Sequence, residues 1–304
     1  MAVSGVPSFS APGILADPSR PFPVRDPMLK GVANAGVRYM FDLAFPFCYP
    51  GGPPIGRPAA GDPAPDIPIY DVNESADGIY RRGSAESVIT YAGGGFDFSA
   101  SQIVGGLSAG VAVPSAVMAD IWAPFGGKSQ RFMIVAWLKL PSLADWNSAG
   151  AIMTVIGDAS YVSAPSLLVI NFRQGGLIDA RRQTGAGQID GQVIVTPDPD
   201  DYGSVVQIAA WRNDAGQGFR LRSANGTILQ STAVGADNSE NFSANDYYFG
   251  RSTAFLGQGS DVVSGVNGLR FYRGWIENLA RSGRNPVAVL DADYDFNVAR
   301  GLFS

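Results

Sequence analysis

The feature that most constrains this chain is its punctuation. From Asp71 onward, short apolar runs alternate with glycine, asparagine, aspartate and serine, and no stretch of helical period separates one run from the next. The spacing predicts strands near 88–92, 95–99, 131–140, 149–157, 166–173, 176–182, 189–195, 204–212, 217–223, 227–232, 246–250 and 268–279. Strands this short, joined by turns rather than crossover helices, build an antiparallel sandwich and not a βαβ sheet, so the expected class is all-β. In "RLRSANGTILQS", Asn225-Gly226 suits a type I′ turn, which predicts a hairpin of Phe219–Ser223 with Thr227–Ser231.

The last strand runs into a different signal. Asn285 is placed to cap and Pro286 to take the first helical position, and Val287, Leu290, Tyr294 and Val298 then recur at helical spacing. A short helix over about 285–299 is expected, with one face on the sheet. Gly274, where strict alternation breaks, is the expected bulge.

Proline divides the chain. Fourteen of the twenty-one prolines lie in residues 1–70, and proline fixes φ and removes a donor, so "ADPSRPFPVRDP" and "YPGGPPIGRPAAGDPAPDIP" read as extended or turning chain. Residues 1–70 are therefore expected to be an extended arm outside a sandwich of residues 71–304. Between the two proline segments, Val37, Tyr39, Met40, Phe41, Leu43, Phe45, Phe47 and Tyr49 crowd together. So much apolar surface needs a partner, and the expectation is that these residues dock the arm onto neighbouring subunits.

Composition removes most chemistry. The chain has no histidine and a single cysteine, Cys48, which takes away the usual general base, the usual activator of a thiol and the usual ligands of transition metals. No cofactor is expected. A formal charge of −5 without a basic stripe argues against nucleic acid. The opening "MAVSGVPSFSAPG" has neither a basic region nor an apolar core, and the longest apolar run, "FMIVAWLKL", contains Lys139, so neither a secretion signal nor a membrane span is expected.

Three stretches carry a family resemblance. "LRFYRGWIENL" followed by "SGR" and a short helix resembles the end of a concanavalin A-like, or laminin G-like, jelly roll. "QRFMIVAWLKLP" with "AGAIMTVIGD" resembles its paired core strands, and "YDVNESADG" its beginning. The likeness covers roughly residues 70–300 and is strongest to such modules in virion structural proteins of tailed bacteriophages. It implies two stacked antiparallel sheets with a concave face, which in some members binds glycans beside a calcium ion. It also implies that the arm lies outside the module, as virion-anchoring arms do.

Candidate sites follow. Asp198, Asp200 and Asp201 in "TPDPDDYG" could offer hard oxygen ligands to calcium, with an acidic surface turn as the other reading. Asp291, Asp293 and Asp295 resemble half of an EF-hand, but Phe296 stands where its glycine belongs and Leu302 where its glutamate belongs, so they read as solvated helix surface. Trp146, Tyr161, Tyr202, Tyr247 and Tyr248 fall in or near loops and are candidate glycan contacts. Hydrolysis of glycosidic bonds needs two carboxylates about 5–10 Å apart, and the four glutamates, Glu74, Glu86, Glu240 and Glu277, are far apart in sequence.

The reading is a non-enzymatic virion structural protein, a capsid decoration or tail or fibre component, assembled in the bacterial cytoplasm. Its expected partners are other virion proteins and copies of itself. A glycan- or receptor-binding adhesin is the alternative, and a polysaccharide hydrolase ranks behind both.

Overall fold

The structure, a computed structural model, describes residues 26–29, 36–45, 48–49, 68–72, 77–82, 89–99, 109–146, 150–155, 167–173, 175–245, 247–252 and 268–304. In chain order its elements are β1 (Val37–Asp42), β2 (Pro68–Ile69), β3 (Gly78–Arg82), β4 (Thr90–Ala92), β5 (Gly95–Asp97), β6 (Ala109–Val113), α1 (Ser115–Trp122), β7 (Phe132–Lys139), β8 (Gly150–Val155), β9 (Val169–Arg173), β10 (Leu177–Gly185), β11 (Gln188–Val195), β12 (Val205–Asn213), β13 (Gly216–Arg222), β14 (Thr227–Thr232), β15 (Tyr247–Ser252), β16 (Arg270–Asn278), α2 (Leu279–Ser282) and α3 (Pro286–Arg300). Two antiparallel eight-stranded sheets form the sandwich. One has the order β14-β13-β12-β7-β16-β5-β4, with β1 also on β16; the other has the order β11-β10-β9-β8-β15-β6-β3-β2.

Side-chain alternation explains the layering. On β7, Phe132, Ile134, Ala136 and Leu138 face the second sheet, while Met133 and Val135 join Trp211, Trp275, Val289 and Leu290 in a separate core beneath α3. Both faces of this strand are therefore covered, which is why "FMIVAWLK" is apolar throughout rather than at alternate positions. Between the sheets, Phe41 meets Phe249 edge to face at 5.1 Å and Tyr80 meets Phe96 at 5.3 Å.

β16 is the central strand, and its irregularity lies at Tyr272 rather than at the expected Gly274. Phe271 pairs with Leu138 and Arg273 with Trp137, so Tyr272 is the extra residue of a bulge. Tyr272 packs in a cluster with Trp137 and Tyr294, on the helix side of the sheet, and Arg273 bonds to Asp293 of α3 on that same side. Gly274 has another reason to be glycine. A Cβ there would stand 2.6 Å from the Phe41 ring and 2.8 Å from the Phe249 ring.

The segment expected to dock on neighbouring subunits belongs to the sandwich. Val37–Asp42 is strand β1, paired antiparallel with Asp42 opposite Arg273 and Met40 opposite Trp275. Val37, Tyr39, Met40 and Phe41 are fully buried, as are Leu43 and Tyr49 to within 2 %. Phe45 packs half-buried against the same core, and Phe47 lies outside the described residues. These side chains fill the chain's own sandwich and do not dock on a neighbour. The reason is geometric: from Arg273 to Glu277, one edge of β16 is taken by β7 and β1 supplies the hydrogen bonds of the other. The expected boundary near Tyr70 does not mark where the sandwich starts, since Asp26 already bonds to Arg273.

All twelve predicted strands are present, all but β14 with shifted ends, and β1, β2, β3, β6 and α1 are additional. The β13–β14 hairpin is there, but Ser223 N–H donates to Gly226 C=O, so Ala224 and Asn225 are the central pair. Neither takes positive φ, so the turn is not type I′. "YAGGGFDF" makes the β4–β5 hairpin instead, with Gly93 at φ 56° and Gly94 at φ 78°. At α3 the Asn285 side chain accepts from Ala288 N–H at 3.2 Å and Pro286 is the first helical residue, as expected.

Candidate functional site

Helix α3 organises the region of interest. Its buried face is Pro286, Val289, Leu290, Asp293, Tyr294 and Asn297, whereas Val298 is 56 % exposed. The apolar stripe read from sequence is thus rotated, because two buried positions are polar. Asp293 is fully buried and accepts from Trp137 Nε1 at 2.7 Å, Gln207 Nε2 at 2.8 Å, Asn297 Nδ2 at 3.0 Å and Arg273 at 3.2 Å. The guanidinium of Arg273 also reaches Asp26 at 2.7 Å and Asp42 at 3.4 Å, and Arg300 closes the circuit onto Asp42. Burial opposes the charge of Arg273, but three carboxylates around it hold its pKa above the ordinary value. Burial likewise pushes Asp26 up, yet the charge and hydrogen bond of Arg273, the Met28 N–H and Arg300 outweigh it and hold the carboxyl below its usual range. This ion cluster fastens α3, β1 and the Asp26 segment to the sheet.

Beside it, the last turns of α3 lean over the end of the sheet and leave an open groove of about 350 Å³, at the small end of the range for ligand sites. One wall is aromatic and apolar: Trp137, Tyr294, Val298, Val205 and Phe303. Trp137 stacks on Tyr294 at 5.3 Å, Phe303 stacks on Tyr272 at 5.0 Å, and the Arg222 guanidinium lies 4.0 Å over the other face of Tyr294. Asp200, Ser204 and Asn225 complete the lining, with the Ser204 hydroxyl donating to Asp200 C=O at 3.0 Å and Asn225 Nδ2 to the Asp201 carboxylate at 3.0 Å. Asp200 sits in a short 3-10 turn, Pro199–Asp201, and Asn225 on the β13–β14 loop. The Asp200 side chain has no ion pair or hydrogen-bond partner among the described residues.

Asp198, Asp200 and Asp201, the calcium candidates, form a hydrogen-bonded acidic turn. Asp198 caps the turn by accepting from Asp200 N–H at 3.0 Å, and Asp201 points back to Asp198 N–H and accepts from Asn225 Nδ2 at 3.0 Å. Two of the three carboxylates are thus engaged with donors of the turn and of Asn225. Among the described residues no group of three or more potential ligand side chains is arranged to hold a metal.

Four of the five candidate glycan contacts are described, and the fold uses them otherwise. Trp146 is buried, with its indole N–H donating to Arg173 C=O at 2.7 Å. Tyr202 packs edge-on against Trp146 and donates to Gly176 C=O at 3.0 Å. Tyr247 and Tyr248 belong to β15 and are buried, not in a loop. Tyr161 lies outside the described residues. Cys48 is also internal: Asp42 N–H donates to its sulfur, the thiol donates to Tyr70 C=O, and burial pushes its pKa well up. The groove escaped sequence reasoning because its residues come from four separated segments: Asp200, Asn225, Tyr294 and Val298 each carried a local signal, but nothing local says that they meet.

No family model matches the sequence, and no curated protein does. Similar solved structures are remote. The Trypanosoma rangeli sialidase in complex with the inhibitor DANA shares 13 % identity over 77 % of this chain and 34 % of that one, at a TM-score of 0.42. The botulinum neurotoxin serotype D binding domain shares 14 % over 74 % of this chain and 50 % of that one, also at 0.42. The CBM2 module of the evolved Dit of Lactobacillus casei BL23 phage J-1 shares 10 % over 80 % and 95 %, at 0.40. The chain thus spans about a third of the length of the sialidase. Among the described residues no helix is long and apolar enough to cross a membrane. What the chain itself establishes is an all-β, two-sheet antiparallel sandwich closed by a C-terminal helix.

Proposed function

We propose that this chain is a non-catalytic recognition sandwich of a tailed-phage virion, and that it holds a surface glycan in the groove between α3 and the β13–β14 loop. The groove is the observation that carries this reading. Its lining joins the apolar side chains of Phe303, Val298 and Tyr294 with the polar residues Asp200, Ser204 and Asn225. A sugar has the same two-sided character, with apolar ring faces and a rim of hydroxyls. The virion assignment rests on the sequence resemblance.

The test is calorimetry of the purified chain against host surface polysaccharides, after a glycan-array screen. Asp200→Asn should weaken binding at least tenfold with an unchanged melting temperature, and Phe303→Ala should weaken it as much while lowering the melting temperature, since that ring also packs on Tyr272 and Trp137. Absence of binding to every polysaccharide of the host would refute the glycan reading, and release of oligosaccharide products would replace it with a hydrolase. Mass spectrometry of purified particles tests the virion assignment separately.

A further inference from the structure

We infer that two copies of this chain pair edge to edge through β14, extending the eight-stranded sheet across a two-fold axis. The two sheets end very differently on their two sides. On one side the terminal strands are β4, with three residues, and β2, with two. On the other they are β14, with six residues, and β11, with eight. Each of these long strands has a strand neighbour on one side only among the described residues.

An edge strand directs alternate N–H and C=O groups away from its sheet, and proteins that stay monomeric guard such edges with lysine, proline, charge or a bulge. β14 has no guard. Its sequence is Thr-Ile-Leu-Gln-Ser-Thr, five of its six residues are exposed, and its pairing with β13 runs in unbroken register from Thr227 opposite Arg222 to Thr232 opposite Gln217. The whole stretch from Ser223 to Ala236 contains no charged residue and no proline. Leu229 stands 48 % exposed in the middle of it. Next to it, β11 exposes Ile189 at 39 % and Ile194 at 46 %, and its single charge, Asp190, is held by Arg182. The apolar exposure therefore lines one flank of the sandwich on both sheets.

A second copy is the partner this chemistry fits. In a two-fold antiparallel pairing each strand meets itself, so any charge on it would face its own like in one register or a neighbouring one. A neutral strand pays no such penalty. Neutrality of the entire segment, rather than of one position, is what self-pairing requires. The groove of the proposed function lies at α3 and the β13–β14 loop, so this contact does not depend on glycan binding.

The experiment is sedimentation velocity of the full chain from low to high micromolar concentration, together with amide exchange. The wild type should show a concentration-dependent dimer, with the amides of residues 227–232 slowing at least fivefold as dimer forms. Leu229→Lys with Ser231→Lys introduces the missing guard on exposed positions and should raise the dimer dissociation constant at least tenfold with unchanged circular dichroism. Leu143→Lys, equally exposed but away from this edge, should leave the dimer as it is. A chain that stays monomeric throughout overturns the inference, and so does a dimer that the β14 variant leaves intact.

Discussion

Asp291, Asp293 and Asp295 look equivalent in sequence, and replacing each with alanine tests whether depth or composition decides their worth. Asp293→Ala removes an acceptor shared by four donors in a site with no solvent access. Gln207 keeps Leu290 C=O at 3.1 Å and Asn297 keeps the backbone C=O of residue 293 at 2.8 Å, so neither is left bare. The Trp137 indole N–H is orphaned, which costs roughly 1–3 kcal/mol. Arg273 loses one of three carboxylates, and because Asp26 and Asp42 remain the loss falls at or below the low end of the ~3–5 kcal/mol for breaking a buried pair. The sum is at most about 4–6 kcal/mol, still a large part of the ~5–15 kcal/mol that a domain has. Asp295 is 73 % exposed and among the described residues pairs only with Arg222, so Asp295→Ala should cost under ~1 kcal/mol. Asp291, 53 % exposed but 2.8 Å from the buried Arg220, should fall between. Urea unfolding followed by tryptophan fluorescence and by circular dichroism gives all three values. Asp293→Asn keeps the volume and should still destabilise strongly, because its amide N–H₂ would face other donors. Equal costs at the three positions, or less than ~1.5 kcal/mol at Asp293, would refute the buried-cluster account.

Three further outcomes follow from the same structure. A chain beginning at Asp71 should not unfold cooperatively, since it lacks Val37, Tyr39, Met40, Phe41 and Leu43, each worth about 1.5–3 kcal/mol when buried, and a sharp thermal transition at the wild-type temperature would count against it. Chelation should leave the melting temperature within a degree or so, because Asp198 and Asp201 are engaged with backbone N–H groups; a fall of many degrees with EDTA would reopen a calcium site. Asp26 is held below its ordinary pKa, so its stabilisation is complete above the unfolded value near 4 and is lost as pH falls through the lower folded value; Asp26→Asn should flatten that acid limb, and an unchanged limb would show that other groups set it.

The sequence determined what local rules can specify. Alternation and turn residues marked the twelve strands from 88 to 279, and an asparagine followed by proline marked the start of α3, because turns, caps and pleats depend on neighbours within a few residues. The apolar run at 37–49 was visible too, but not its partner. Whether such a run is buried against its own chain or another is a long-range question, and only the vacant edge of β16 answered it. Asp293 was misjudged for a related reason. A lone aspartate reads as surface, and it is buried only where Arg273, Trp137, Gln207 and Asn297 arrive from three other points of the fold and one turn of its own helix to satisfy it. The bulge at Tyr272 that turns Arg273 toward that meeting, and the groove assembled beside it from four segments, belong to the tertiary structure for the same reason: their partners are far apart in sequence.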